Sequence, residues 1–170
     1  MWCLLLVAVA PVWADTMSGM VIVVIDGDTV LFKPDAPYKS IAQGAAPRAF
    51  LKIRLADIDA PEKDQPYGDA ATRALTELVL DQRVEVETVA TDIYGRTIAH
   101  IWIGSGQAGE GQVDAELVRR GLAWASTRSR KGSGLKAAQT EARRAQRGLW
   151  QAAEPVPPWV WRREHSADAY

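Results

Sequence analysis

An Asp-Gly pair, Asp26-Gly27, stands between two short apolar runs, Met20 to Asp26 and Thr29 to Lys33. An Asp-Gly pair in this setting is a strong hairpin signal. The chain is thereby committed near its start to an antiparallel hairpin. Further β runs follow. Over Phe50 to Ile58, Ile53 and Leu55 face one side while Lys52 and Arg54 face the other. Over Arg83 to Val89, Val84 and Val86 alternate with Glu85 and Glu87. Thr97 to Ile103 is the fifth expected strand.

Helical spacing appears in three places. Asp69 to Leu80 puts Ala71, Leu75, Leu78 and Val79 on one side. Val113 to Arg120 is a shorter helix stopped by Gly121. Gly134 to Arg147 repeats Leu135, Ala138, Ala142 and Ala145, and Gly148 ends it before Leu149. Pro34 to Pro47 carries three prolines and reads as a long loop, and Gly104 to Gly111 as a Gly-rich one. Pro155 to Arg163, with Pro157-Pro158 and two tryptophans, is expected to be an extended tail and not a regular helix. Five short strands with a helix after the third predict an α+β domain, a five-stranded OB-fold Greek-key barrel with three helices. The domain is expected over 15–154, with a Pro/Trp-rich tail over 155–170. OB barrels bind oligonucleotides on one face, though fold alone is a weak warrant for function.

At the amino terminus, Leu4 to Val12 is apolar and Val12-Trp13-Ala14 has the form of a small-residue cleavage site. Residues 1–14 therefore read as a signal peptide, with the mature chain beginning at Asp15 in a secreted or periplasmic location. No Lys or Arg precedes the apolar run, so an uncleaved membrane anchor is the alternative. The remainder of the 170 residues suits one domain with a sizeable core.

The net charge of −1 argues against a strongly basic nucleic-acid-binding protein, but the average hides an asymmetry. Asp26 to Glu116 holds 16 acidic and 9 basic residues, whereas Arg119 to Arg163 holds 2 acidic and 11 basic. A basic half can meet a polyanion while an acidic half holds metal, or the arginines can simply solvate helix surfaces. Cys3 is the only cysteine, so the mature chain has no disulfide, Cys-ligated zinc or thiol nucleophile. The only histidines, His100 and His165, lie far apart, which disfavours a His zinc site.

Two acidic clusters remain, Asp26-Gly27-Asp28-Thr29 and Asp59-Ala60-Pro61-Glu62, each at the end of a β run. Their oxygens suit a hard cation such as Ca²⁺ or Mg²⁺. Pro61 keeps Ala60 extended and so fixes its carbonyl relative to Asp59 and Glu62. Arg54 precedes the second cluster, and Arg96 follows in Asp92-Ile93-Tyr94-Gly95-Arg96. Each feature alone has a bland reading, as a turn or a surface ion pair. Together, a metal, a spare carboxylate and two arginines are what metal-assisted phosphodiester hydrolysis requires.

The chain resembles the staphylococcal (micrococcal) nuclease family, in its secreted bacterial branch, over about residues 20–150. The resemblance rests on Val24 to Val30, Arg54 to Glu62, Asp92 to Arg96, Leu117 to Ala123 and Ala142-Arg143 through Gly148-Leu149-Trp150. It implies a five-stranded OB barrel with three helices and one bound Ca²⁺. Asp28 and Asp59 match the metal carboxylates, and Ala60 the position that lends a carbonyl. Glu62 matches the catalytic glutamate, and Arg54 and Arg96 the catalytic arginines. Tyr94 is assigned to substrate binding. Ala60 stands where the best-known member has threonine, and Trp124-Ala125-Ser126-Thr127 replaces a tyrosine-bearing segment. The loop after Glu62 is also shorter. The expected activity is Ca²⁺-dependent, endonucleolytic hydrolysis of DNA and/or RNA by a monomer that needs no stable protein partner. The competing readings are a catalytically silent OB module that binds nucleic acid or protein, and a Ca²⁺-stabilised structural protein, which leaves both arginines unexplained.

Overall fold

The computed structural model of the protein describes residues 16–38, 48–104, 111–127 and 134–165. Strands β1 (Thr16–Asp26), β2 (Thr29–Pro34), β3 (Leu51–Leu55), β5 (Arg83–Thr91) and β6 (Thr97–Ile103) close into a barrel in the order β1-β2-β3-β6-β5. A two-stranded sheet pairs β4 (Ile58–Asp59) with β7 (Trp124–Ala125). The helices are α1 (Gly68–Val79), α2 (Val113–Arg119), α3 (Leu135–Arg144) and α4 (Pro158–His165), with a 3-10 turn at Gly148–Gln151. The expected α+β barrel is present.

Closure follows from pairing. β1 is antiparallel to both β2 and β5, and β3 runs parallel to β6. The alternating residues of these strands turn Val21, Val30, Phe32, Leu51, Ile53, Leu55, Val84, Val86 and Ile101 inward, each 2 % exposed or less. Leu75 of α1 and Leu117 of α2 cap this core and are fully buried. Gly121, at φ 70°, lets α2 end as expected, with Leu122 N–H bonding Leu117 O and Gly121 N–H bonding Val118 O.

Three expectations need correction. The third β run is broken: Asp57 sits at φ 61°, so the chain bends between β3 and β4, and β4 leaves the barrel to pair with β7. The third helix stops at Arg144, with Gln146 at φ 49° beyond it, and Leu149 is buried from the 3-10 turn instead. The carboxyl-terminal segment is not an extended tail, because Pro158 opens α4. A proline in the first turn of a helix gives up only an N–H that has no intrahelical partner. Pro157 O then accepts the N–H groups of Val160 and Trp161. Of the two expected loops, 39–47 and 105–110 lie outside the described residues, and a Tyr38–Arg48 bridge closes the base of the first.

A candidate phosphodiesterase site at the barrel end

The hairpin register builds the first half of the site. Asp26 pairs with Thr29, and Thr29 pairs across with Arg54 on β3. This sets Asp28, beside Thr29 in the turn, against the Arg54 guanidinium. Arg54 Nη1 lies 2.8 Å from Asp28 Oδ1, and Nη2 lies 2.6 Å from Asp59 Oδ1. The bend at Asp57 brings Asp59 round to this position. One planar fork thus bridges the two acidic clusters, a geometry Lys does not provide.

Asp28 is almost wholly enclosed, at 4 % exposure. Its Oδ1 accepts from Thr29 Oγ1 at 3.0 Å as well as from Arg54, and its Oδ2 accepts the Ala60 N–H at 3.1 Å. Burial pushes the Asp28 carboxyl up to about 7, against Arg54 and the Ala60 N–H, which favour its charged form. Asp26 and Asp59 add repulsion. A carboxylate so placed gains more than an exposed one from a nearby cation. Gly27 permits the close packing: a Cβ there would lie 2.8 Å from the Cβ atoms of both Ala60 and Ala71.

Glu62 is held by its own loop. Its N–H donates to Gln65 Oε1 at 3.1 Å, and Gln65 N–H donates back to Glu62 O at 3.0 Å. Gly68 must lack a side chain, since a Cβ would fall 1.8 Å from Glu62 O. Arg96 is fixed by the turn before β6. Asp92 accepts the backbone N–H groups of Tyr94 and Arg96 at 2.9 Å each, and Arg96 Nε at 2.7 Å. Tyr94 is exposed, with the Arg96 guanidinium 5.6 Å from its ring centroid.

These groups share one cavity of about 440 Å³, lined by Asp26, Gly27, Asp28, Arg54, Ala60, Pro61, Glu62, Tyr94, Arg96 and Arg162. Of the residues singled out from sequence, Asp28, Arg54, Ala60, Glu62, Tyr94 and Arg96 line it directly. Asp59 reaches it through Arg54 and Arg162. The donor chemistry fits a hard cation: two carboxylates and a backbone carbonyl, all oxygen. Among the described residues no three His, Cys, Asp or Glu side chains are grouped so as to hold a metal ion by themselves. A hard cation here would complete its shell with water or phosphate oxygens.

Sequence reasoning missed two participants. Arg162 of α4 donates through Nη1 to Glu62 Oε1 at 2.6 Å and through Nη2 to Asp59 Oδ2 at 2.8 Å. Gln65, besides bracing Glu62, donates through Nε2 to Val156 O at 2.7 Å and so ties the loop to the segment before α4. The only signal for Arg162 was the excess of arginine in the carboxyl-terminal part. Most of that excess lies elsewhere: Arg119 and Arg120 pair with Glu116, Arg147 pairs with Glu141, and Arg143 packs 4.1 Å from the Trp150 ring centroid.

Residues 52–152 match the family model described as staphylococcal nuclease homologue. The chain belongs to that family. Its curated relatives include an "Uncharacterized endonuclease" of Escherichia coli O157:H7, 36% identical over 152 residues and 89% of each chain. "Protein ParB" of Escherichia coli is 37% identical over 166 residues, 94% of this chain and 86% of that one. A "Micrococcal nuclease" of Shigella flexneri is 34% identical over 164 residues, 93% of this chain and 87% of that one. Asp28 and Arg162 both lie outside the span matched by the nuclease family model.

Proposed function

We propose that the protein is a Ca²⁺-dependent nuclease that hydrolyses phosphodiester bonds of DNA and/or RNA by endonucleolytic attack. The observation that carries this reading is the Arg54 fork, which joins Asp28 to Asp59 in the lining of a cavity shared with Glu62 and Arg96. Family membership and the nuclease names of the relatives support it. Asp28, Asp59 and the Ala60 carbonyl would hold the metal, whose chemistry is to neutralise and orient the phosphate while acidifying water only modestly. Glu62 accepts or orients the proton of the attacking water. Arg96 and Arg54 grip the non-bridging phosphate oxygens, and those contacts strengthen as the pentacoordinate transition state gathers charge. Tyr94 offers an exposed ring beside Arg96 for the substrate.

Plasmid and RNA digestion in Ca²⁺ or in chelator, with wild type and Glu62→Gln, tests the reading. Cleavage only in Ca²⁺ and only by wild type supports it. Equal activity of folded Glu62→Gln overturns the assignment of the base. No cleavage under either condition leaves a silent OB module as the better description. Export belongs to the same proposal, although the leader lies outside the described residues. Amino-terminal sequencing of material from the native host should begin at Asp15, and an intact Met1 on membrane-bound material would point to the anchor.

A further inference from the structure

We propose that Arg162 is a built-in counter-cation for the site, carried in by α4, which competes with the metal for Asp59 and must leave it when the metal binds. The inference rests on the metal reading given above. Its basis is the occupancy of Asp59. Oδ1 of that carboxylate accepts Arg54 Nη2 at 2.6 Å and Arg162 Nη1 at 3.2 Å, while Oδ2 accepts Arg162 Nη2 at 2.8 Å. Both oxygens are therefore engaged by guanidinium groups. The same Arg162 Nη1 holds Glu62 Oε1 at 2.6 Å. One side chain thus spans the metal carboxylate and the base.

A hard cation needs at least one of those oxygens and is repelled by a fixed positive charge beside it. Arg162 cannot relieve the conflict by losing its proton. An arginine guanidinium stays protonated in proteins, and this one donates to both Asp59 and Glu62. It has to move instead, and its mounting allows that. Arg162 is 43 % exposed in its side chain. α4 has eight residues and follows the segment Ala152 to Pro157, which leaves the 3-10 turn with an extended Ala152. Among the described residues it is attached by Trp159 edge-on to Trp124 at 5.5 Å, the buried Pro158, Trp161 Nε1 to Asp64 at 3.3 Å, and Gln65 to Val156 O. Among the described residues, the ion pairs made by α4 are those of Arg162 with Asp59 and Glu62.

Removing a partner that supports a metal ligand ordinarily weakens metal binding about 10- to 100-fold. Here the partner is a cation on the ligand's own oxygens, so the sign reverses. Calorimetric titration of the full chain with Ca²⁺ is the test, using wild type, Arg162→Ala, Arg162→Gln and Asp28→Ala, with thermal melts as the folding control. Arg162→Ala and Arg162→Gln should bind Ca²⁺ about 10- to 100-fold more tightly than wild type. Arg162→Lys keeps a charge but loses the fork and should fall between. Equal or weaker binding by both neutral variants, with wild type binding normally and Asp28→Ala failing, overturns the competition and leaves the metal site standing. Arg162 would then be a residue that positions Glu62. No Ca²⁺ binding by any of the proteins overturns the metal reading itself, and this inference with it.

Discussion

The site has two sides that are built differently. On the barrel side, Asp28 and Arg54 are placed by strand register and Asp59 by the bend that follows β3, all next to a packed core. On the loop side, Arg96 and Tyr94 are placed by hydrogen bonds within a single turn around Asp92, and Arg162 by a short helix at the end of the chain. Register beside a core is over-determined, because a slip by one residue would turn every inward side chain outward. A turn or a short helix answers only to its own few contacts. The barrel side should therefore couple function to folding, and the loop side should not.

The largest expected effects are on rate, and they should not separate the two sides. Arg54→Ala and Arg96→Ala should each lower initial rates on single-stranded DNA at saturating Ca²⁺ by about 10²–10³, the worth of one transition-state donor. Stability should separate them. Arg54→Ala strips the partner from a buried carboxylate and should cost about 3 kcal/mol in denaturant unfolding. Arg96→Ala removes a local pair near the surface and should cost less than about 1 kcal/mol. Equal losses of stability would break the distinction. Glu62→Gln should lower the rate by about 10²–10⁴ while melting within a few degrees of wild type, since its loop is held through backbone groups and Gln65.

Gly27→Ala probes the barrel side without touching a charged group. The new Cβ would press on Ala60 and Ala71, so a loss of about 1–3 kcal/mol is expected. Ca²⁺ affinity should fall as well, because Ala60 N–H and Asp28 Oδ2 are joined across the same contact.

The smallest effect concerns a pair away from the site. His100 Nδ1 lies 2.9 Å from the fully buried Asp114. Desolvation alone would lower the histidine, but the Asp114 hydrogen bond and charge win and raise it above its ordinary value. The stabilisation is then complete below about 6.5 and lost as pH rises through the higher folded-state value. His100→Gln should accordingly cost more at pH 6 than at pH 9, by less than about 1.5 kcal/mol. A difference of the opposite sign in paired melts would refute the assignment.

The barrel and most of the candidate site were legible in the sequence for a shared reason. Alternation in Arg83 to Val89 and around Ile53 and Leu55 and the glycine at 121 are local signals, and each was enforced locally in the fold; the expected hairpin forms too, with Gly27 and Asp28 as its turn residues. Asp28, Asp59, Glu62, Arg54 and Arg96 stood in short segments whose residue types already suited one chemistry. The misreadings came where local signals were outvoted. Pro157-Pro158 read as a helix breaker, yet Pro158 stands at the first position of α4, which tolerates it. An alternating run read as one strand, yet Asp57 turns it so that β4 can pair with β7, far along the chain.

Sequence by itself determined the barrel, its hairpin entry and the kind of chemistry its acidic and basic residues can support. Those depend on periodicity, turn chemistry and residue type, all of which act over a few neighbours. Tertiary structure alone decided that Arg54 would bridge two carboxylates from separate clusters, that Gln65 would brace Glu62, and that Arg162 would reach Asp59 and Glu62 from about a hundred residues away. Such contacts are set by how elements pack, and no local pattern encodes which charged side chain a folded chain will deliver to a distant oxygen.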